Sequence, residues 1–418
     1  MRCSTFDVAQ YARQTHRDRK SAKAGARVAR AAAAFRMGMN PLFRLTRSMT
    51  AAAVMAAAAA ATTPIAVADT PLEYLGQWQL PPQEAGAPNR IGGLSGITYD
   101  PAHQTYYLIS DDKTEHGPVR FHTARIALSG NGVDDVQFVG VQPLLDESGK
   151  PFGPNNFTSN PPVLAPDAEA IAYDAGRRLL YWTSEGYIHD DASGKPAILQ
   201  PWIRVAGLDG AYQGEFALPP SFMFTGDQTA GPRPNGVLEG LSLTPDGRYL
   251  FAAMEQPLYQ DGPATDENHT GLVRITKFDT VTRTPVAEYA YPVDRAAPET
   301  GFNGVSDILA LSETSFLVIE RAASLPRQVA VSVYRADTGP ASDVLDVASL
   351  RDQAVTPMTK TLAADLRATP GLDRLDNIEG LTLGPRLPDG RQSVVLVSDD
   401  NFQPFEVTQF LAFALPRS

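Results

Sequence analysis

Apolar runs of six or seven residues recur along this 418-residue chain, each closed by polar turn residues, and no long stretch after residue 68 carries the three-to-four-residue spacing of an amphipathic helix. Five runs share one form: Leu94-Ser-Gly-Ile-Thr-Tyr-Asp100, Ala168-Glu-Ala-Ile-Ala-Tyr-Asp174, Leu238-Glu-Gly-Leu-Ser-Leu-Thr244, Val305-Ser-Asp-Ile-Leu-Ala-Leu311 and Ile378-Glu-Gly-Leu-Thr-Leu-Gly384. Their second positions, Ser95, Glu169, Glu239, Ser306 and Glu379, are spaced by 74, 70, 67 and 73 residues. After a turn such as Pro245-Asp-Gly-Arg248, each is followed by a second apolar run that stops at an acid. These runs are Tyr106–Asp111, Leu179–Glu185, Tyr249–Glu255, Phe316–Glu320 and Val394–Asp399. Two apolar runs joined by a glycine-containing turn make a hairpin.

A third and a fourth strand follow in most repeats, for example Phe121–Leu128 with Val136–Leu144 and Leu272–Asp279 with Val286–Tyr291; the fourth repeat is less regular around Thr361–Leu366. The fifth repeat ends after Thr408–Leu415, one strand short. The segment Leu72–Leu80 supplies it, because Leu75-Gly-Gln-Trp-Gln-Leu-Pro81 resembles Gln213-Gly-Glu-Phe-Ala-Leu-Pro219 of the second repeat. The expectation is an all-β chain folded as a β-propeller of five four-stranded blades, the ring closed by an N-terminal strand so that no edge is left free. A sixth blade inside a long insert is the alternative. Two packed β-sandwiches would leave the single period unexplained.

The N-terminal part reads differently. Residues 1–47 carry eleven Lys and Arg against Asp7 and Asp18, and Met49–Ala68 is uncharged, Ala-rich and ends in Ala66-Val67-Ala68. This is the pattern of a secretory signal peptide cleaved after Ala68, with Met1, Met37 or Met39 as the start. Thr62-Thr63-Pro64 leaves too short a hydrophobic run for a membrane anchor. The expected layout is therefore a leader at 1–68 and one propeller domain at 69–418, working as a monomer in the periplasm or outside the cell. Removing the leader reduces the 36 basic side chains by eleven to 25 and the 47 acids by two to 45, a charge near −20. Such a surface excludes nucleic acid as a partner. The lone cysteine, Cys3, leaves with the leader, which suits an oxidising compartment.

Strand order turns the alignment into a spatial expectation. The innermost strand of each blade lines the channel and the second runs antiparallel to it, so the start of one and the end of the other open on the same face. Ser95, Glu169, Glu239, Ser306 and Glu379, with Asp307 one residue on, are expected to form an inner ring. Asp111, Glu185, Glu255, Glu320 and Asp399, supplemented by Asp112 and Asp400, are expected to form a second. Like charges so close repel one another unless a cation or bound water screens them. Oxygen donors suit Ca²⁺ or another hard divalent ion, and the shortage of Cys and His argues against zinc or copper. The competing explanation is that the acids cap turns or bind the neighbouring blade's backbone.

A cation beside carboxylates supports hydrolysis: it polarises a carbonyl or phosphoryl oxygen and acidifies a water while a glutamate takes the proton. Glu169, Glu239 and Glu379 are the candidate catalytic residues; Asp111, Asp112, Glu185, Glu255, Glu320, Asp399 and Asp400 are the candidate ligands. Lys113, His116, Arg120, Arg125, Arg321 and Arg327 could receive an anionic substrate, Arg321 serving equally well as a charge partner of the acids. No Gly-x-Ser-x-Gly elbow exists, and His103, His122, His189 and His269 are isolated.

The motifs Leu94-Ser-Gly-Ile-Thr with Leu108-Ile-Ser-Asp-Asp112, Asp167-Ala-Glu-Ala-Ile171 with Ser184-Glu-Gly186, Leu238-Glu-Gly-Leu-Ser with Glu255, and Asn377-Ile-Glu-Gly-Leu-Thr with Ser398-Asp-Asp-Asn401 resemble the phytase-like family, described as having esterase-like activity. The resemblance spans nearly all of the mature chain. It implies an exported bacterial propeller acting on phosphate or other esters with Ca²⁺, its Glu-Gly motifs falling on Glu169, Glu239 and Glu379. Ala170 departs from the family's usual Gly, and Ser95 and Ser306 replace Glu, so the implied site is weighted toward the second, third and fifth repeats. A Ca²⁺-dependent lactonase and a non-enzymatic binding propeller with a structural metal remain alternatives.

Overall fold

A computed structural model describes residues 71–417 apart from 82, 84–89, 191–193, 325–327 and 352. The expected leader, its cleavage after Ala68 and Arg327 lie outside the described residues. Beyond two single-turn 3₁₀ segments, the regular structure is all strand, in five four-stranded antiparallel sheets. The innermost strands are Leu94–Asp100, Ala168–Asp174, Leu238–Leu243, Phe302–Ala310 and Ile378–Arg386, and they define blades one to five. Each packs against the innermost strands of both ring neighbours, the first against the fifth included. No sixth blade stands among the described residues. Glu73–Gln79 pairs with Gln409–Ala414 as the outer strand of blade five, the closure expected from the sequence.

The second strands read as unbroken apolar runs because both their faces are buried between blades. Tyr106 and Leu108 pack toward Val395, Val397 and Phe410 of blade five. Tyr107 and Ile109, one residue out of phase, pack toward Ile171, Tyr173 and Trp182 of blade two. One element departs from the expected strands: a small hairpin, Tyr187–Asp190 with Pro196–Leu199, is inserted between the second and third strands of blade two.

Every innermost strand carries a β-bulge at the position singled out by the repeat. The pairing with the second strand slips between Leu94 and Gly96, Leu238 and Gly240, Val305 and Asp307, Ile378 and Gly380, and more widely between Ala168 and Ile171. The residues left unpaired are Ser95, Glu239, Ser306, Glu379 and the Glu169–Ala170 pair. A bulge re-aims its side chain and tightens the strand twist, and here it frees the second-position side chains from the ladder.

Candidate functional site

The glycine after the bulge sets how closely the blades approach. A Cβ on Gly96 would lie 2.8 Å from the Glu169 carbonyl oxygen, and one on Gly380 would lie 3.1 Å from the Ser95 carbonyl oxygen. The innermost strands thus run almost backbone to backbone. In blade four the glycine is replaced by Asp307, which fills the gap differently. Its Oδ1 accepts from the backbone N–H of Leu241 and Ile308 at 3.2 and 2.8 Å, and its Oδ2 from Leu381 at 2.9 Å. One buried carboxylate thereby ties the inner strands of blades three, four and five together.

Glu169, Glu239 and Glu379 are buried, at 5, 7 and 7% exposure. Four of the expected second-strand acids join them. The backbone N–H groups of Asp111, Glu185, Glu255 and Asp399 bond to the carbonyls of Gly93, Asp167, Val237 and Asn377, the same relation in four blades. Blade four breaks the series and corrects the sequence alignment. Leu94, Ala168, Leu238 and Ile378 pair with Ser110, Ser184, Met254 and Ser398, the residues just before the acids, whereas Val305 pairs with Glu320 itself. The ring position in blade four is therefore held by Arg321. A one-residue slip turns a strand side chain to the opposite face, so Glu320 sits elsewhere, bonded to Tyr291 Oη, Asn303 Nδ2, the Asp294 N–H and Lys360.

The remaining polar partners distribute unevenly. Arg321 Nη2 lies 2.9 Å from Glu255 and 3.4 Å from Glu379, and its Nη1 donates to Asn377 Oδ1. Lys113 Nζ lies 2.7 Å from Asp167, a carboxylate that repeat matching had not nominated. Asp167 stands two residues before the bulge, where the other blades carry Gly93, Val237, Gly304 and Asn377. The only signal for it was its place in the Asp-Ala-Glu motif. Two carboxylate trios have oxygens within 4.8 Å of one another: Asp111, Asp167 and Glu169, and Glu169, Glu185 and Glu239. Glu169 belongs to both. Among the described residues no ammonium or guanidinium forms an ion pair with the second trio.

Burial dominates the electrostatics. It pushes Glu169 well above the carboxylate range, with Asp111, Glu239, Asp167 and Glu185 adding repulsion. Burial raises Glu239 likewise, reinforced by Glu185, Glu255 and Glu379, and does the same to Asp111 and Asp399. Glu185 is pushed up to about 8, although the Val237 N–H it accepts at 2.7 Å pulls it back. Glu255 reaches only about 7, because Arg321 offsets its burial. Burial also raises Glu379, while Arg321, Asn377 and Ser95 hold it down. Burial by itself would discharge Lys113 and Arg321, but the surrounding acids outweigh it and keep both firmly protonated.

Several expected site residues are occupied elsewhere. Asp112 faces Arg120 and caps the His116 N–H at 2.6 Å; Arg120 is 3% exposed and also donates to the Pro118 carbonyl. Asp400 accepts from the Gly93 N–H at 2.9 Å, latching blade five to blade one. Arg125 is exposed partway along the third strand of blade one. Glu185 and Asp400 thus do what the competing explanation foresaw, bonding to a neighbouring blade's backbone.

Residues 89–402 match the model of the phytase-like family, described as "esterase-like activity of phytase". No curated protein matches the chain in sequence. Solved structures of similar form include a putative glycosidase from Bacteroides thetaiotaomicron (10% identity, 86% of this chain and 96% of that one, TM-score 0.42). They include an exo-β-1,3-galactanase from Phanerochaete chrysosporium (11%, 82% and 65%, 0.39) and the periplasmic gluconolactonase of Pseudomonas aeruginosa (12%, 77% and 88%, 0.31). At these TM-scores the likenesses carry no functional argument.

Proposed function

The chain belongs to the phytase-like family, and from that membership and the carboxylate well we propose that it is a hydrolase of ester bonds that binds a hard divalent cation, Ca²⁺ fitting best. The carrying observation is the pair of trios sharing Glu169, the second with no cationic side chain among the described residues in an ion pair with it. All their donors are carboxylate oxygens, the set that suits Ca²⁺. When bound, such an ion supplies Lewis acidity toward a carbonyl or phosphoryl oxygen. Glu169, Glu185 and Glu239 would hold it, with Asp111 and Asp167 offering a second position that Lys113 now half neutralises. Glu255, about 7 and braced by Arg321, has the affinity a proton acceptor needs near neutrality. Lys113 and the rim of blades one and five would orient the substrate.

Charge bears on the substrate class. Among the described residues Asp111, Asp167, Glu169, Glu185, Glu239, Glu255, Glu379 and Asp399 are offset by Lys113 and Arg321, a formal −6 if all ionise, and two divalent cations would still leave −2. A substrate bearing several phosphates is repelled by that balance and a neutral carboxylic ester is not. Export through the 1–68 leader is part of the same reading. The second reading, a structural cation without turnover, is favoured by the Glu185 bond to the Val237 N–H, which ties two blades.

The test is metal content and turnover of the purified mature protein against short-chain carboxylic esters, lactones and phosphomonoesters, with and without chelator. Bound Ca²⁺, chelator-sensitive ester cleavage and loss of both in Glu239→Gln are expected. Bound cation that raises the melting temperature without any turnover would leave the structural reading. Neither cation nor turnover would overturn both.

A further inference from the structure

Two loops of left-handed residues meet beside the well. After Asp112 the chain passes through Lys113 and Thr114 at φ 42° and 65°, and after Asp400 through Asn401 and Phe402 at φ 43° and 52°. None is a glycine, and residues with a side chain adopt this region at a cost, so the surrounding packing must impose the shape. What the two loops achieve is to lay Phe402 flat against His116, ring centroids 4.0 Å apart and planes inclined by 14°. The His116 ring is fixed from behind: buried Asp112 holds its backbone N–H at 2.6 Å and lies 3.2 Å from Nδ1, and Arg120 pins Asp112 in turn. Phe402 rests on Gly92 and Gly93. A Cβ at Gly93 would lie 2.6 Å from the Phe402 ring and 2.5 Å from the Asp111 carbonyl oxygen, which puts the ring directly against the backbone that carries the first carboxylate of the well. The Arg90 guanidinium sits 5.3 Å from the Phe402 centroid. The His116 side chain nonetheless stays 40% exposed.

We propose that the His116–Phe402 stack is the subsite for a flat apolar group of the substrate, the leaving group of an aryl or similarly planar ester; this rests on the hydrolase reading above. Aromatic neighbours favour offset-stacked or edge-on contacts, and here the left-handed loops and the Asp112 bond hold the two rings in a stacked pair. A surface so pre-organised binds a planar ring with little loss of side-chain freedom. The reaction remains hydrolysis: water adds to the ester carbon, the C–O bond to the aryl group breaks, and the aryl alcohol departs with the proton that water gave up.

The experiment compares phenyl acetate with ethyl acetate and measures phenol binding by saturation-transfer NMR, in the wild-type protein and in Phe402→Ala, His116→Ala and Phe402→Tyr. The expected result is a roughly tenfold fall in the phenyl-to-ethyl ratio of kcat/KM in both alanine variants, with phenol binding lost, and recovery of both in Phe402→Tyr. His116→Ala keeps its backbone bond to Asp112, so it guards against collapse of the loop. An unchanged ratio together with unchanged phenol binding overturns the subsite. If the wild type cleaves neither ester, the hydrolase reading fails by itself, and phenol binding alone decides: binding that needs Phe402 sustains the platform, and none removes it.

Discussion

Arg321 is the sharpest test of the electrostatic reasoning, because it takes a ring position that four acids hold in the other blades. Arg321→Met keeps the aliphatic stem near Phe302 and removes a charge lying 2.9 Å from Glu255 and 3.4 Å from Glu379. Breaking a buried pair while leaving its partner charged costs about 3–5 kcal/mol. Unfolding some 350 residues at about 2.1 cal/mol/K each gives an entropy of about 0.7 kcal/mol/K, so the melting temperature should fall by about 4–7 °C. The measurement is a thermal melt in chelator at pH 7.5. The penalty must shrink at pH 5.5, since Glu255, already at about 7 with the arginine present, rises further without it and is protonated there. Ca²⁺ added at pH 7.5 should restore more stability to the variant than to the parent. Equal melting temperatures at pH 7.5, or a loss that is the same at both pH values, would refute the reasoning.

Chelated wild-type protein should lose stability with rising pH. Glu255 and Glu185 are raised to about 7 and about 8, so their contribution is complete below about pH 4.5 and disappears as pH climbs through those values. These two protons alone, at about 1.4 kcal/mol per pH unit each, give a slope of at least about 4 °C per unit between pH 5 and 7, and Asp111, Glu169, Glu239 and Asp399, raised in the same direction, steepen it. Calorimetry should find that slope without metal and not with saturating Ca²⁺; a flat profile in chelator counts against a crowded well. Lys113→Met should lower the chelated melting temperature while tightening Ca²⁺ binding severalfold in titration calorimetry, by freeing Asp167. Weaker Ca²⁺ binding would contradict that. Asp307→Asn replaces one acceptor oxygen by a donor facing a backbone N–H and should destabilise by about 3 kcal/mol without altering metal content. Loss of metal in that variant would mean Asp307 belongs to the well.

The fold was legible because each blade needs the same burial: one strand lining the channel and one covered on both faces, which writes a period of about seventy residues into the chain. Ring closure by Glu73–Gln79 was legible too, since its Gly76 and the matching Gly214 both sit at bulges of outer strands. The inserted hairpin of blade two was not, because Tyr187–Asp190 and Pro196–Leu199 are four-residue strands on a half-exposed flap, shorter than the six- or seven-residue runs that mark the blades. Asp112, Arg120 and Asp400 share the composition of a site but are spent on one another and on backbone donors, which spacing cannot reveal.

The misplacement of Glu320 shows why a site in a repeat protein must be read through register rather than composition. Matching each repeat by its last acid treats five positions as equivalent, yet ladder pairing counts from the bulge, and in blade four that count reaches Arg321. One residue of offset exchanges a fifth acid of the ring for a positive side chain beside Glu255 and Glu379. The consequence is directional. Blades one to three hold both trios around Glu169, while blades four and five supply Arg321, Asn377, Ser306 and the Asp307 tie. A five-fold frame so loaded has one side crowded with carboxylates and another anchored by protein charge.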